Sequence, residues 1–569
     1  MAPEVDRIVC GPSRCGHGAR MSHPSGDAER ADAVVVGAGH NGLVAANLLA
    51  DAGWRVHVLD AADSPGGATR SAELAAPGWS TDLGSAFYPL GAASPVLRGL
   101  DLERYGLHWC HAPQPLAHVL PDDRAAVISR DLDTTAASVE RFAPGDGAAW
   151  RRLADQWQEL REPLVGALLA PFPPVRGAAR LLRATGTPDL LRLVRRLVLP
   201  VLRFGQEEFD GEGARALVAG NAMHADVPPT GAGSTAFGWL LAMLAQDVGF
   251  PVPEGGSGAL TGALVDRLRA HGGRVDSNRP VARVLVEGGR AVGVVDTAGG
   301  TVRADQAVLA DVAAPILYRE LVGVEHLPWR MRADLDRFQW DHAVLKVDWA
   351  VSEPVPWTAP EAHGAGAVHV GADTRGLVDL GADLAAGRVP ETPFLIMGQL
   401  TTADPSRSPR GTESLWSYTR VPHDALTSPD EVAAHVERME AVVERHAPGF
   451  RDLVVGRAVS DPDTLQRQDP SLVRGALMHG TANLHQQLVL RPTPGLGRPD
   501  TPIDRLFLAG ASAHPGGAVH GGPGAAAARA ARARAGGLGP AYAALVRAGH
   551  RAVHGRPERV PDPDGTLLE

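Results

Sequence analysis

The chain has 569 residues, 44% of them hydrophobic and 21% charged; these are globular values, and the length is too great for one core, so two domains are expected. A formal net charge of −10 argues against nucleic acid as a partner, and three cysteines (Cys10, Cys15, Cys110) supply neither a disulfide framework nor metal-ligand spacing, which points to a reduced, cytoplasmic setting. Residues 1–30 contain glycine and proline but no apolar run, so they read as a disordered extension rather than a secretory signal, with Met21 an alternative start to Met1.

The first ordered signal is a strand over Val34, Val35 and Val36, followed by Gly37-Ala38-Gly39-His40-Asn41-Gly42 and a helix over residues 43–52. A second strand over 54–59 ends on Asp60, 18 residues after Gly42. Gly37 permits the tight turn, Gly39 lets the backbone approach a pyrophosphate, and Gly42 lets the helix pack on the strand. The helix start offers free N–H groups to the phosphates, and Asp60 offers a carboxylate to ribose hydroxyls. This unit predicts a bound adenine dinucleotide, with His40 and Asn41 supporting it from inside the turn. Gly66-Gly67-Ala68 follows soon after the acid, where a nicotinamide enzyme would normally continue into more strand and helix; an ordinary glycine turn is the alternative.

Further along, residues 188–203 place Leu190, Leu191, Val194, Leu197 and Val198 at helical spacing beside four arginines. They read either as a basic amphipathic helix resting on an anionic membrane or as an ordinary surface helix. Residues 236–245 are too short to span a bilayer and read as a buried helix. A helix over 260–271 leads to a strand over 279–287, a Gly288-Gly289 turn and a strand over 291–295. Lys346 interrupts an apolar strand that begins near Ala343. A short strand over 505–510 ends in Gly510, ahead of Ala513-His514-Pro515-Gly516-Gly517 and of Gly522-Pro523, which opens an alanine-rich helix. Residues 536–569 read as a mixed helix and tail.

The 39–43, 66–68 and 514–517 segments resemble the phytoene desaturase-like branch of the FAD-dependent amine-oxidase superfamily, closest to the pyridine nucleotide-disulfide oxidoreductase domain-containing protein 2 group. Ala68 departs from the arginine that many amine oxidases carry there. The resemblance implies an α/β fold: a Rossmann-like FAD-binding domain from 31–90, 250–325 and 495–535, with an inserted α+β substrate domain from 91–249 and 326–494. It implies that Val281 holds the adenine through its backbone, and that the helix opened by Gly522 and Pro523 faces the pyrimidine end of the flavin. Lys346 would hold a water against flavin N5, or else pair with Asp348 on a solvent-facing strand. His514 would lie near the ring without a covalent bond, and His224 is a candidate for the cavity wall or for an ordinary core position. The implied function is oxidation, isomerisation or saturation of carbon–carbon bonds in a small hydrophobic, isoprenoid-like substrate, with an unidentified electron acceptor. An amine or amino-acid oxidase and a non-catalytic FAD-bound factor are the alternatives.

Overall fold

The structure is a computed structural model and describes residues 29–555. The expectations for residues 1–28, including the alternative start and two of the cysteines, and for the tail after residue 555 lie outside the described residues.

The molecule is built on two seven-stranded sheets. In the first, the valine-rich strand Glu29–Val36 is central and runs parallel to Val56–Leu59 on one side and Thr301–Ala310 on the other. Arg274–Asp276 extends the first side, and Leu506–Leu508 pairs in parallel with the end of Thr301–Ala310. The antiparallel hairpin Val281–Glu287 and Arg290–Asp296, turned by Gly288 and Gly289 at positive φ, completes it. A strand buried on both faces needs a continuous apolar run, which is what residues 33–36 supply.

One face of this sheet is covered by helices His40–Ala50, Ser257–Ala270 and Gly522–Ala535. The last crosses the first so closely that a Cβ on Gly524 would lie 2.0 Å from the Asn41 carbonyl. Leu97, Leu100, Leu102 and Leu107 join this core. The cofactor layer therefore runs past the expected boundary near residue 90. The short helices Pro89–Ala93 and Pro95–Arg98 have too few turns to show a periodic pattern.

The second sheet has the order 454–460, 343–351, 413–421, 395–399, 365–370, 114–119, 125–128. It is antiparallel except where Ala365–Val370 meets Gln114–Val119. Helices around Trp150, Trp157, Phe204 and Trp239 pack on one face, and Pro429–His446 with Trp349 and Phe450 on the other. Helix Ser234–Asp247 is largely buried, as its apolar sequence predicts. The expected helix over 188–203 is broken. Helix Val175–Val198 kinks at Gly186, stops before Pro200, and Val201–Glu208 starts afresh. No helix among the described residues is long and apolar enough to cross a membrane.

Candidate active site

A cavity of about 500 Å³ is lined by both layers. At the cofactor layer its wall includes Gly37, Gly39, His40, Asn41, Asp60, Gly67, Ala68 and Val281. The glycines are forced by close approach. Gly37 has φ +91, and a Cβ on Gly42 would stand 2.3 Å from the Gly37 carbonyl. Gly66 donates its N–H to the Ala38 carbonyl at 2.9 Å, so the second glycine pair is tied to the first turn. Gly66 itself lies behind the wall, with Gly67 exposed on it.

Asp60 accepts N–H groups from Ala38 and Ala62, and burial raises its pKa against the pull of those two bonds. It thus organises the turn as well as standing where a ribose would lie. Sequence reasoning missed Asp311, which directly follows strand Thr301–Ala310 and sits across the mouth of the turn. Its Oδ2 accepts the Gly42 N–H at 2.7 Å, at the positive end of the helix. A Cβ on Gly39 would be 2.6 Å from that oxygen. The signal available was a lone acid ending an apolar strand beside a dinucleotide turn.

These residues fit a dinucleotide. His40 Nε2 is buried without a partner, and the Gly39–Gly67 cradle would be filled by side chains at either position. Gly39 and Asn41 would hold the pyrophosphate through the turn that Gly37 permits, with Asp60 and Val281 towards the adenosine.

Further along, Ala511, Gly517, Ala518 and Val519 line the cavity. Gly510, His514, Gly516, Gly522 and Pro523 do not. Gly510 lies against the Val312 backbone, and Gly516 against the Arg491 guanidinium. The Gly522 N–H donates to His520 Nδ1 at 3.0 Å. His514 packs edge-on against Phe172 with ring centres 6.1 Å apart, and burial, with Arg491 nearby, brings its pKa down to about 4. Buried Arg491 donates to the carbonyls of Met478, Thr481 and Ala511, locking the 478–481 loop to the cavity wall.

Lys346 is buried and ion-paired with Asp348, which also accepts the Thr81 hydroxyl at 2.6 Å. The pairing with Asp348 holds, but on a buried face and not towards solvent. Their cross-strand partners are Tyr418 and Trp416, so the pair shares the face those rings occupy, while Lys346 itself is not on the cavity wall.

The far end is aromatic and aliphatic: Phe87, Leu241, Phe250, Trp416, Tyr418 and Leu477, with His224 among them. Trp416 and Tyr418 meet edge to face, 5.1 Å apart at 73°, and Phe87 stands 6.3 Å from Trp416. Trp416 Nε1 donates to the Gly84 carbonyl at 2.9 Å. Arg420, two residues beyond Tyr418 on the same strand face, donates to the Met223 and His224 carbonyls, and no lysine or arginine lines the cavity among the described residues.

A dinucleotide turn and a closing loop around one cavity, continued by an aromatic chamber from a second layer, define an FAD-dependent oxidoreductase. Bound FAD supplies a two-electron acceptor beside whatever occupies that chamber. Residues 42–533 match the flavin containing amine oxidoreductase family, and the chain belongs to it. It is 26% identical over 538 residues to pyridine nucleotide-disulfide oxidoreductase domain-containing protein 2 of Rattus norvegicus, covering 87% of this chain and 92% of that one. It is 29% identical over 497 residues to a zeta-carotene-forming phytoene desaturase of Myxococcus xanthus, covering 85% and 90%. An oxidoreductase structure from Methanosarcina mazei shares the fold, with a TM-score of 0.58 at 16% identity over 87% of this chain and 98% of that one.

Proposed function

We propose that the protein dehydrogenates, isomerises or saturates carbon–carbon bonds of an apolar, isoprenoid-like molecule, with hydride exchanged with FAD and an external acceptor or donor closing the cycle. The observation that carries this reading is the chamber wall. Phe87, Leu241, Phe250, Trp416 and Leu477 face the cavity, and no lysine or arginine among the described residues joins them. An amino-acid oxidase needs a guanidinium to clamp the substrate carboxylate. The Arg420 guanidinium does not line this wall; its Nε and Nη2 donate to two backbone carbonyls, and Nη1 has no partner. The chamber's apolar character is also in keeping with the named activity of the desaturase relative.

One observation favours a second reading. The Trp416–Tyr418 pair would suit an amine without a carboxylate. Anaerobic mixing of the FAD-loaded protein with isoprenoid hydrocarbons, putrescine and amino acids separates the two: bleaching of the flavin by a hydrocarbon supports the first reading, and bleaching by the amine selects the second. A flavin that no substrate or reductant bleaches would leave the non-catalytic factor.

Peripheral membrane contact belongs to the same proposal. Val175, Leu191, Val194 and Val198 are all about half exposed or more. Arg176, Arg180 and Arg183 are exposed on the stretch before the Gly186 kink. Within 188–203 the charges are largely used internally: Arg195 pairs with Glu207 and Arg192 with Asp189. Co-sedimentation with anionic vesicles that fails for Leu191→Ser/Val194→Ser would support the contact, and no sedimentation of the native protein would end it.

A further inference from the structure

We infer that the aromatic chamber takes an apolar molecule carrying one neutral oxygen acceptor, such as a ketone, aldehyde or alcohol, seated against the Nδ1–H of His224 and the hydroxyl of Tyr418. The inference rests on the apolar-substrate reading and narrows it.

Proton placement along buried His118 and His369 decides which nitrogen of half-buried His224 carries its hydrogen. His118 Nε2 lies 2.8 Å from the Ala372 carbonyl, which can only accept, so His118 carries its proton on Nε2. His369 Nε2 lies 3.0 Å from His224 Nε2, and one of the two must donate. His369 Nδ1 is buried without a partner. If His224 were the donor, the His369 proton would sit on that Nδ1 as a buried N–H with no acceptor. Orphaned buried N–H groups are rarer than under-used acceptors. His369 therefore donates and His224 accepts at Nε2. The His224 proton is left on Nδ1.

Both rings stay neutral. Burial brings His224 down to about 3, with Arg420 adding to the effect, and holds His369 well below the ordinary histidine value. The arrangement is built into the backbone: a Cβ on Gly220 would lie 2.5 Å from His369 Nδ1 and 2.7 Å from His118 Nδ1. Arg420 holds the His224 carbonyl at 2.6 Å and so fixes the segment that carries the ring.

His224 and Tyr418 both line the cavity, and among the described residues neither His224 Nδ1 nor the Tyr418 hydroxyl has a hydrogen-bond partner. The neighbouring indole N–H is already taken by Gly84. The chamber thus presents two neutral polar atoms on an otherwise apolar wall. Arg420, whose charge reaches both groups, is held by two backbone carbonyls and does not line the chamber, whereas a neutral oxygen can accept a hydrogen bond from either group.

The test uses a matched pair of probes, 6-methylhept-5-en-2-one and 2-methylhept-2-ene, which differ at one carbon by a carbonyl. Their binding to the FAD-loaded protein is measured by headspace partitioning for the native chain, His224→Phe and Tyr418→Phe. Each substitution is expected to weaken the ketone about tenfold, the worth of one hydrogen bond. The hydrocarbon should stay within about twofold, because the change removes no apolar contact. Equal effects on both probes, or none on either, would overturn the inference and leave the apolar-substrate reading standing. Failure of the native protein to bind either probe would overturn both. Should His224→Phe not fold, imidazole ¹⁵N shifts of the native protein decide the matter, since a His224 protonated at Nε2 contradicts it.

Discussion

Asp311 places an acid where the fold otherwise favours an anion from outside. Its carboxyl meets the helix start at Gly42, and burial, with Asp469 and Asp60 nearby, raises its pKa to about 8 against the pull of that amide. His40, on the same turn, is brought down to about 4 by burial and carries no charge to offset it. Below pH 8 Asp311 is protonated and compatible with a pyrophosphate; above it, the carboxylate repels one. FAD affinity, followed by fluorescence quenching, should therefore fall as pH rises through about 8. Asp311→Asn should abolish that dependence and bind FAD at least about tenfold more tightly at pH 9. The linked effect on stability has a fixed sign. Between the ordinary aspartate value and about 8 the folded chain holds a proton that the unfolded chain has released, so this group makes the apoprotein less stable as pH rises across that window. The Asn variant should lack that slope in urea melts. Gly39→Val should yield protein without flavin colour, because the side chain would occupy the space between the turn and the Asp311 carboxylate. The turn glycines were legible because they lie together in sequence. Asp311 was not, because its partner Gly42 is 269 residues away.

At the scale of elements, strand Ala343–Val351 is buried along its whole length, and that burial decides what Lys346 does. A lysine in an apolar strand can be read from sequence, but the side it faces depends on the sheet that forms around it. Lys346→Met leaves the Asp348 carboxyl buried without its cation, with the Thr81 hydroxyl still donating to it, at a cost of roughly 3–5 kcal/mol in urea denaturation. Lys346→Met/Asp348→Leu should recover most of the loss. Unchanged stability together with flavin reduction slowed ~10²–10⁴-fold would instead place the lysine in the chemistry. The 175–208 region teaches the same lesson. Its helical spacing was legible, but the stop at Pro200 divides it, and Glu207 and Glu208 fold back to pair with arginines that read in sequence as a membrane-facing row.

At the scale of the whole molecule, the cofactor layer was largely legible and the chamber was not. Strand, turn and helix signals are local, so the dinucleotide unit, the Gly288-Gly289 hairpin and the buried 236–245 helix could all be placed from the sequence. The chamber is assembled from Phe87, His224, Leu241, Phe250, Trp416, Tyr418 and Leu477, which come from separate segments. No short window of sequence contains the Trp416–Phe87 contact or the approach of His224 to His369. The two layers meet along one cavity, and the account depends on their division of labour: FAD along the first layer, substrate in the second. The most direct measurement is a crystal structure of the FAD complex. The adenosine is expected near Asp60 and Val281, the pyrophosphate against Gly39 and Asn41, and the flavin ring beside Ala511 and Gly517–Val519. The chamber bounded by Phe87, Phe250 and Trp416 should remain open. A flavin ring filling that chamber, or a dinucleotide bound away from the 37–42 turn, would contradict it.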